Sequence, residues 1–158
     1  MQRRWRLGSV EFVTSMAVIA VCMAVLLNRI SAYQELAEKT RVELTITQVR
    51  TGLRYAQMDA LLHHQDIPVD AWLARNPMAW LAQPPADYHG AVAALPRPPE
   101  QGWYYLSDQH ALVYLPRFHA HLDRRLDERP PRLIWQLQAG PSLRPETVEL
   151  VARPYQWF

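Results

Sequence analysis

Apolar and polar positions change rhythm twice along this chain. Residues 12–27 (FVTSMAVIAVCMAVLL) carry no charge, and Thr14 and Ser15 are their only polar members. With Val10 and Ile30 included, the run approaches the roughly 17–25 residues of a membrane-spanning helix. From residue 31 the apolar positions become periodic. Val42, Ile46, Val49, Leu53, Ala56 and Ala60 recur at alternating steps of four and three, which draws one stripe along a helix. Glu35 and Lys39 stand in the order that favours an i,i+4 pair. A helix over residues 9–63 is about 80 Å long at roughly 1.5 Å per residue.

The second change comes at Pro68. Residues 69–81 read as short helical pieces interrupted at Asn76-Pro77, and residues 83–99 as a proline-rich loop. Residues 102–106 (GWYYL) and 111–115 (ALVYL) flank a four-residue connection and predict a hairpin. Residues 117–122 are a weaker strand, limited by Pro116. Residues 132–138 place Leu133, Trp135 and Leu137 on one face, and residues 147–152 offer a last strand. The expected fold is α+β: a long N-terminal helix, half membrane-like and half amphipathic, packed on an antiparallel sheet of three or four strands. The expected divisions are a basic leader at 1–8, a membrane helix at 9–30, an amphipathic spine at 31–64, a connecting segment at 65–101 and a sheet domain at 102–158.

Proline placement sharpens the boundary. All 13 prolines fall at or after Pro68, and Gly8 and Gly52 are the only glycines before it, so only the first part can sustain an unbroken helix. Charge sharpens the topology. The 17 basic residues include Arg3, Arg4 and Arg6; without those three, 14 face 15 acidic residues. The basic start predicts a cytoplasmic N-terminus and an exported remainder, giving a single-pass membrane protein. No basic stripe interleaved with aromatics tracks a phosphate backbone, so nucleic acid is not an expected partner. Cys22 is the single cysteine and lies in the apolar run, which excludes an intramolecular disulfide.

Glu11 is the odd residue of the first segment. A carboxylate at the edge of a membrane helix costs a few kcal/mol unless it reaches the headgroups or a partner. If the chain is cut after Gly8, the new amino group of Ser9 is a cation that a neighbouring subunit's Glu11 can meet. The plainer reading leaves Glu11 at the headgroup level without a role.

A short basic leader ending in Gly8, then Glu11, an apolar helix, an amphipathic extension and a small sheet resemble type IV pilins and the pseudopilins of type II secretion. The segments Asn76-Pro77-Met78-Ala79-Trp80-Leu81, Gly102-Trp103-Tyr104-Tyr105 and Leu112-Val113-Tyr114 also resemble a proteobacterial pseudopilin-like group. The resemblance implies a prepilin peptidase that cuts between Gly8 and Ser9 and methylates the new terminus. It further implies other pilin or pseudopilin subunits and an inner-membrane assembly platform as partners, and extraction into a filament. Family members usually begin with a large apolar residue and carry the glutamate fifth; here Ser9 would be first and Glu11 third. A cut after Arg6 restores that register but loses the glycine. No acidic cluster with calcium-loop spacing occurs in the last third, which favours a minor subunit.

Other chemistry is sparse. His119 and His121 alternate on one strand face, with His110 near in sequence, but a zinc site usually takes three or four protein ligands, and a solvated edge strand is the simpler reading. No nucleophile elbow, phosphate loop, HExxH or paired carboxylates occur, so no enzyme, cofactor or metal is expected. Residues 123–129 interleave Asp123, Asp127 and Glu128 with arginines as a self-neutralising loop, and Ser142 reads as a turn residue. Tyr155, Trp157 and Phe158 either fold back on the domain or offer a partner surface. Two functions are left: a filament subunit, and a signal-anchored periplasmic binding or scaffold protein that stays in the membrane.

Overall fold

A computed structural model of the chain describes residues 4–118, 122, 131–140, 147–155 and 157, with helical side chains described from Glu11 onward. The first helix, α1, runs Arg4–Leu62 without a break, as the absence of proline before residue 68 permits. It ends just before His63 and His64. His64 takes a left-handed φ of 51°. Its N–H donates to Leu61 O at 3.2 Å, and Gln65 N–H donates to Ala60 O at 2.8 Å. These two bonds close a Schellman-type cap, with a histidine where glycine is commoner.

Two compact units divide this chain, Met1–Ala37 and Glu38–Phe158. Among the described residues, the first is helix alone. The second holds the remaining helical turns, α2 (Val69–Leu73), a 3-10 turn (Pro77–Trp80) and five strands: β1 (Tyr88–Val92), β2 (Gly102–Leu106), β3 (Ala111–Leu115), β4 (Leu133–Ala139) and β5 (Val148–Ala152). The α+β class is as expected, and the hairpin β2–β3 has the expected bounds.

The sheet departs from expectation in count and direction. It has five strands in the order β1-β2-β3-β4-β5. Pairs from β2 to β5 are antiparallel, but β1 runs parallel to β2, so the sheet is mixed. β1 comes out of the stretch 83–99 that reads as a loop. That reading rests on the prolines at 84–85 and 96–99, none of which falls inside β1. Parallel neighbours ordinarily need a crossover of about a dozen residues or more; here residues 93–101 make it, and Leu95 and Val92 pack over Leu106, Ala111, Val113 and Ile134. The sheet therefore buries apolar side chains on both faces, not on one. Residues 119–121, inside the weaker expected strand, lie outside the described residues, as do 123–130 and 141–146; Leu122 forms an isolated antiparallel bridge with Trp157.

The main core lies between the sheet and the helical turns of the second unit. Val42, Ile46, Val49, Leu53 and Ala60 are all buried, and Ala56 packs beside them. They meet the face formed by Trp103, Leu112, Tyr114, Leu133, Trp135, Leu137, Val148 and Leu150. Cross-strand register explains that face: Trp103 sits opposite Tyr114, Leu112 opposite Trp135 and Leu137 opposite Leu150. Trp103 packs at 4.7 Å from Tyr114 and 5.4 Å from Trp135, ring centre to ring centre.

Three polar devices fix the helix on this core. Glu38 receives Tyr114 O–H at 2.7 Å, Arg117 N–H at 2.7 Å and Phe118 N–H at 2.8 Å. Arg50 donates twice to Leu150 O, at 3.3 and 3.2 Å, and Gln57 donates to Val148 O at 2.8 Å. Those two carbonyls belong to the outer edge strand, so the helix side chains also block an edge open to strand addition. Finally, Asn76 Oδ1 accepts from Met78 N–H while its Nδ2 donates to Tyr88 O–H, tying the 3-10 turn to β1.

Candidate assembly surface

The apolar run of the first unit, residues 12–27, is built from exposed side chains. Phe12 is 67% exposed and Val21 64%, and Val13, Met16, Val18, Ile19, Met23, Val25, Leu26 and Leu27 are all exposed beside them. Among the described residues, one helix is long and apolar enough to cross a membrane, and none of its most apolar window is buried. Sixteen uncharged residues held out to solvent would be costly in water, at roughly 25 cal/mol per Å² of apolar surface. Lipid or other apolar helices are the surroundings that remove this cost.

Gly8 and Ser9 lie within α1, so the expected processing point is helical. Glu11 is exposed, and its backbone carbonyl accepts from Thr14 Oγ1 at 2.9 Å. Cys22 is free and exposed in the middle of the apolar run. Ser31 Oγ donates to Leu27 O at 3.1 Å, which satisfies a hydroxyl at the end of that run without a partner from elsewhere.

The C-terminal aromatics separate. Trp157 is buried in the core, and its carbonyl accepts from Lys39 Nζ at 2.6 Å. Tyr155 is half-buried and meets Trp135 edge-on at 5.9 Å. Burial raises its phenol pKa, Glu43 raises it further, and Arg50 pulls it back. Both side chains fold back on the domain, which is the first of the two expectations; Phe158 lies outside the described residues.

No family model, curated protein or solved structure matches this chain. The structure adds a long apolar N-terminal helix whose later turns pack on a small sheet, an arrangement compatible with a pilin-like fold.

The histidines also separate. His110 takes a left-handed φ of 47° after the 3-10 turn Ser107–Gln109, and its Nδ1 stands 3.4 Å from Tyr105 O–H. His119 and His121 lie outside the described residues, as do Ser142 and the charged run 123–129. Among the described residues, no three of His, Cys, Asp and Glu gather as metal ligands. His89 stacks on Tyr104 at 4.7 Å and 13° and approaches Gln101 O at 3.0 Å, so it supports β1.

Sequence reading missed a second apolar surface. In the second unit Leu44 (58% exposed), Tyr55 (73%), Met58 (59%) and Leu62 (71%) stand out to solvent. Leu44 and Leu62 each lie nine residues from Leu53, which at about 100° per residue sets them on the opposite side from the core. The signal was present as spacing, but the stronger stripe through Val49 and Leu53 drew the reading to one face.

Proposed function

We propose that this chain is a structural subunit, of the minor kind, in a type IV pilus or type II secretion pseudopilus. The observation that supports it most is the apolar run of the first unit, residues 12–27, whose side chains are exposed. Such a helix is held in the inner membrane, N-terminus inside, and is then drawn into a filament, where the same side chains pack on neighbouring helices. The second unit stands on the periplasmic side. In the filament Glu11 neutralises the amino terminus of a neighbour, and the peptidase and assembly platform supply the chemistry that this chain lacks.

One observation favours a second reading. Glu11 is third after Gly8, and Ser9 replaces the usual large apolar residue, which suits an anchor that is never cut. A static periplasmic scaffold then keeps its leader.

The two part on intact mass and N-terminal sequence of the membrane-extracted protein, made with and without a prepilin peptidase. A chain beginning at Ser9 with an added methyl group supports the filament subunit. Retention of residues 1–8 in both strains overturns the processing step and leaves the anchor.

A further inference from the structure

We propose that the outward face of the helix in the second unit pairs with the same face of a second copy, parallel and in register. The exposed positions Leu44, Gln48, Thr51, Tyr55, Met58 and Leu62 advance by alternating steps of four and three, all on the side away from the core. That is the heptad seam of a two-stranded coiled coil, with Gln48, Tyr55 and Leu62 at a and Leu44, Thr51 and Met58 at d. The core stripe has the same alternation half a turn away, so this helix carries two seams and, among the described residues, only one is covered.

Charge decides the occupant. In this frame Arg54 is a g position and Asp59 the e position five residues on, and both are exposed. A parallel, in-register pair sets each g against the partner's following e, so Arg54 meets Asp59 of the second copy twice by symmetry. An antiparallel pair sets g against g and e against e, and Arg54 then never meets Asp59. A shift of one heptad moves Arg54 opposite Gly52 or beyond the helix end. Only one geometry uses both charges. His63 sits 3.3 Å from the Asp59 carboxylate on the same helix; that contact is also exposed and leaves Asp59 within reach of the partner.

The seam spans under three heptads, short for a free coiled coil. Here the inference rests on the membrane reading above: two copies anchored through residues 12–27 are already parallel and confined, which raises their effective concentration. A helically staggered filament brings different positions together, so the in-register pair describes the subunit before assembly.

The test uses the full chain in its membrane, in a Cys22→Ser background. Thr51→Cys, Tyr55→Cys and, as an off-seam control, Glu43→Cys are introduced singly and oxidised. We expect disulfide-linked dimers at the two seam positions and not at the control. Arg54→Asp is expected to lower dimer yield about fivefold, and adding Asp59→Arg to restore it. All of these positions are exposed, and the emission of the buried tryptophans monitors folding. Cross-linking absent at the seam, stronger between unlike positions of co-expressed variants, directed to a different protein, or unrescued by the charge exchange overturns the proposal. Retention in alkali-washed membranes reads the anchor separately, so its failure is not confused with failure of pairing.

Discussion

Helix propensity and tertiary packing give opposite signs for Gly52→Ala. In a helix interior alanine is favoured over glycine by about 1 kcal/mol, so a reading of α1 alone expects stabilisation. The structure places Gly52 under the 3-10 turn: a Cβ there stands 2.5 Å from Trp80 O and 3.0 Å from Trp80 Cβ. Ordinary carbon–oxygen contact needs roughly 3.4 Å or more, so the turn has to move by nearly 1 Å. It resists, because Met78 is buried, Asn76 holds Met78 N–H and Tyr88, and Trp72 packs 6.2 Å from Trp80. Overpacking of this kind costs about 1–3 kcal/mol and occasionally more. The contact is with backbone, so we take the upper end, near 3 kcal/mol, and expect a net loss of about 2 kcal/mol. For a unit of this size that lowers Tm by about 8 °C. Equilibrium urea unfolding of the full chain in detergent, followed by tryptophan emission, measures it. A Gly52→Ala variant as stable as the parent, or more so, refutes the close approach.

Two further outcomes follow from the polar anchors. Glu38→Ala leaves the buried Tyr114 O–H and two backbone N–H groups without their acceptor and is expected to destabilise the second unit by about 3 kcal/mol, while Tyr114→Phe costs only about 1 kcal/mol; equal losses in urea unfolding would disprove the three-bond anchor. Burial raises the pKa of Tyr104, Tyr105, Tyr114 and Tyr155 above 10.0, with Glu38 adding to the rise at Tyr114. The folded chain thus keeps these phenols neutral where the unfolded chain ionises, so stability held below about pH 10 falls as pH rises above it. Absorbance at alkaline pH is expected to show four tyrosines ionising late, together with loss of tryptophan order; free titration of all seven before unfolding would contradict this.

What the sequence determined by itself was local and periodic. The proline-free, glycine-poor start allowed one helix, the run 12–27 marked its membrane-like part, and the four–three spacing named the residues that proved to be core. Alternation and turn residues located β2, β3, β4 and β5, because a hairpin and its neighbours pair over short separations. What only the tertiary structure decided was pairing across distance. β1 has half-exposed positions and a glycine at its centre, and nothing local marks it as a strand; it exists because β2 offers an edge and the proline-rich crossover brings it there. The same holds for Glu38, whose three donors lie more than seventy residues away in sequence, and for Gly52, whose lack of a side chain matters only once Trp80 lies against it. Trp157 was as apolar in the sequence as any exposed residue of the first helix; burial came from the surface it met. A sequence fixes which groups seek cover, and the geometry of the folded chain decides which of them find it.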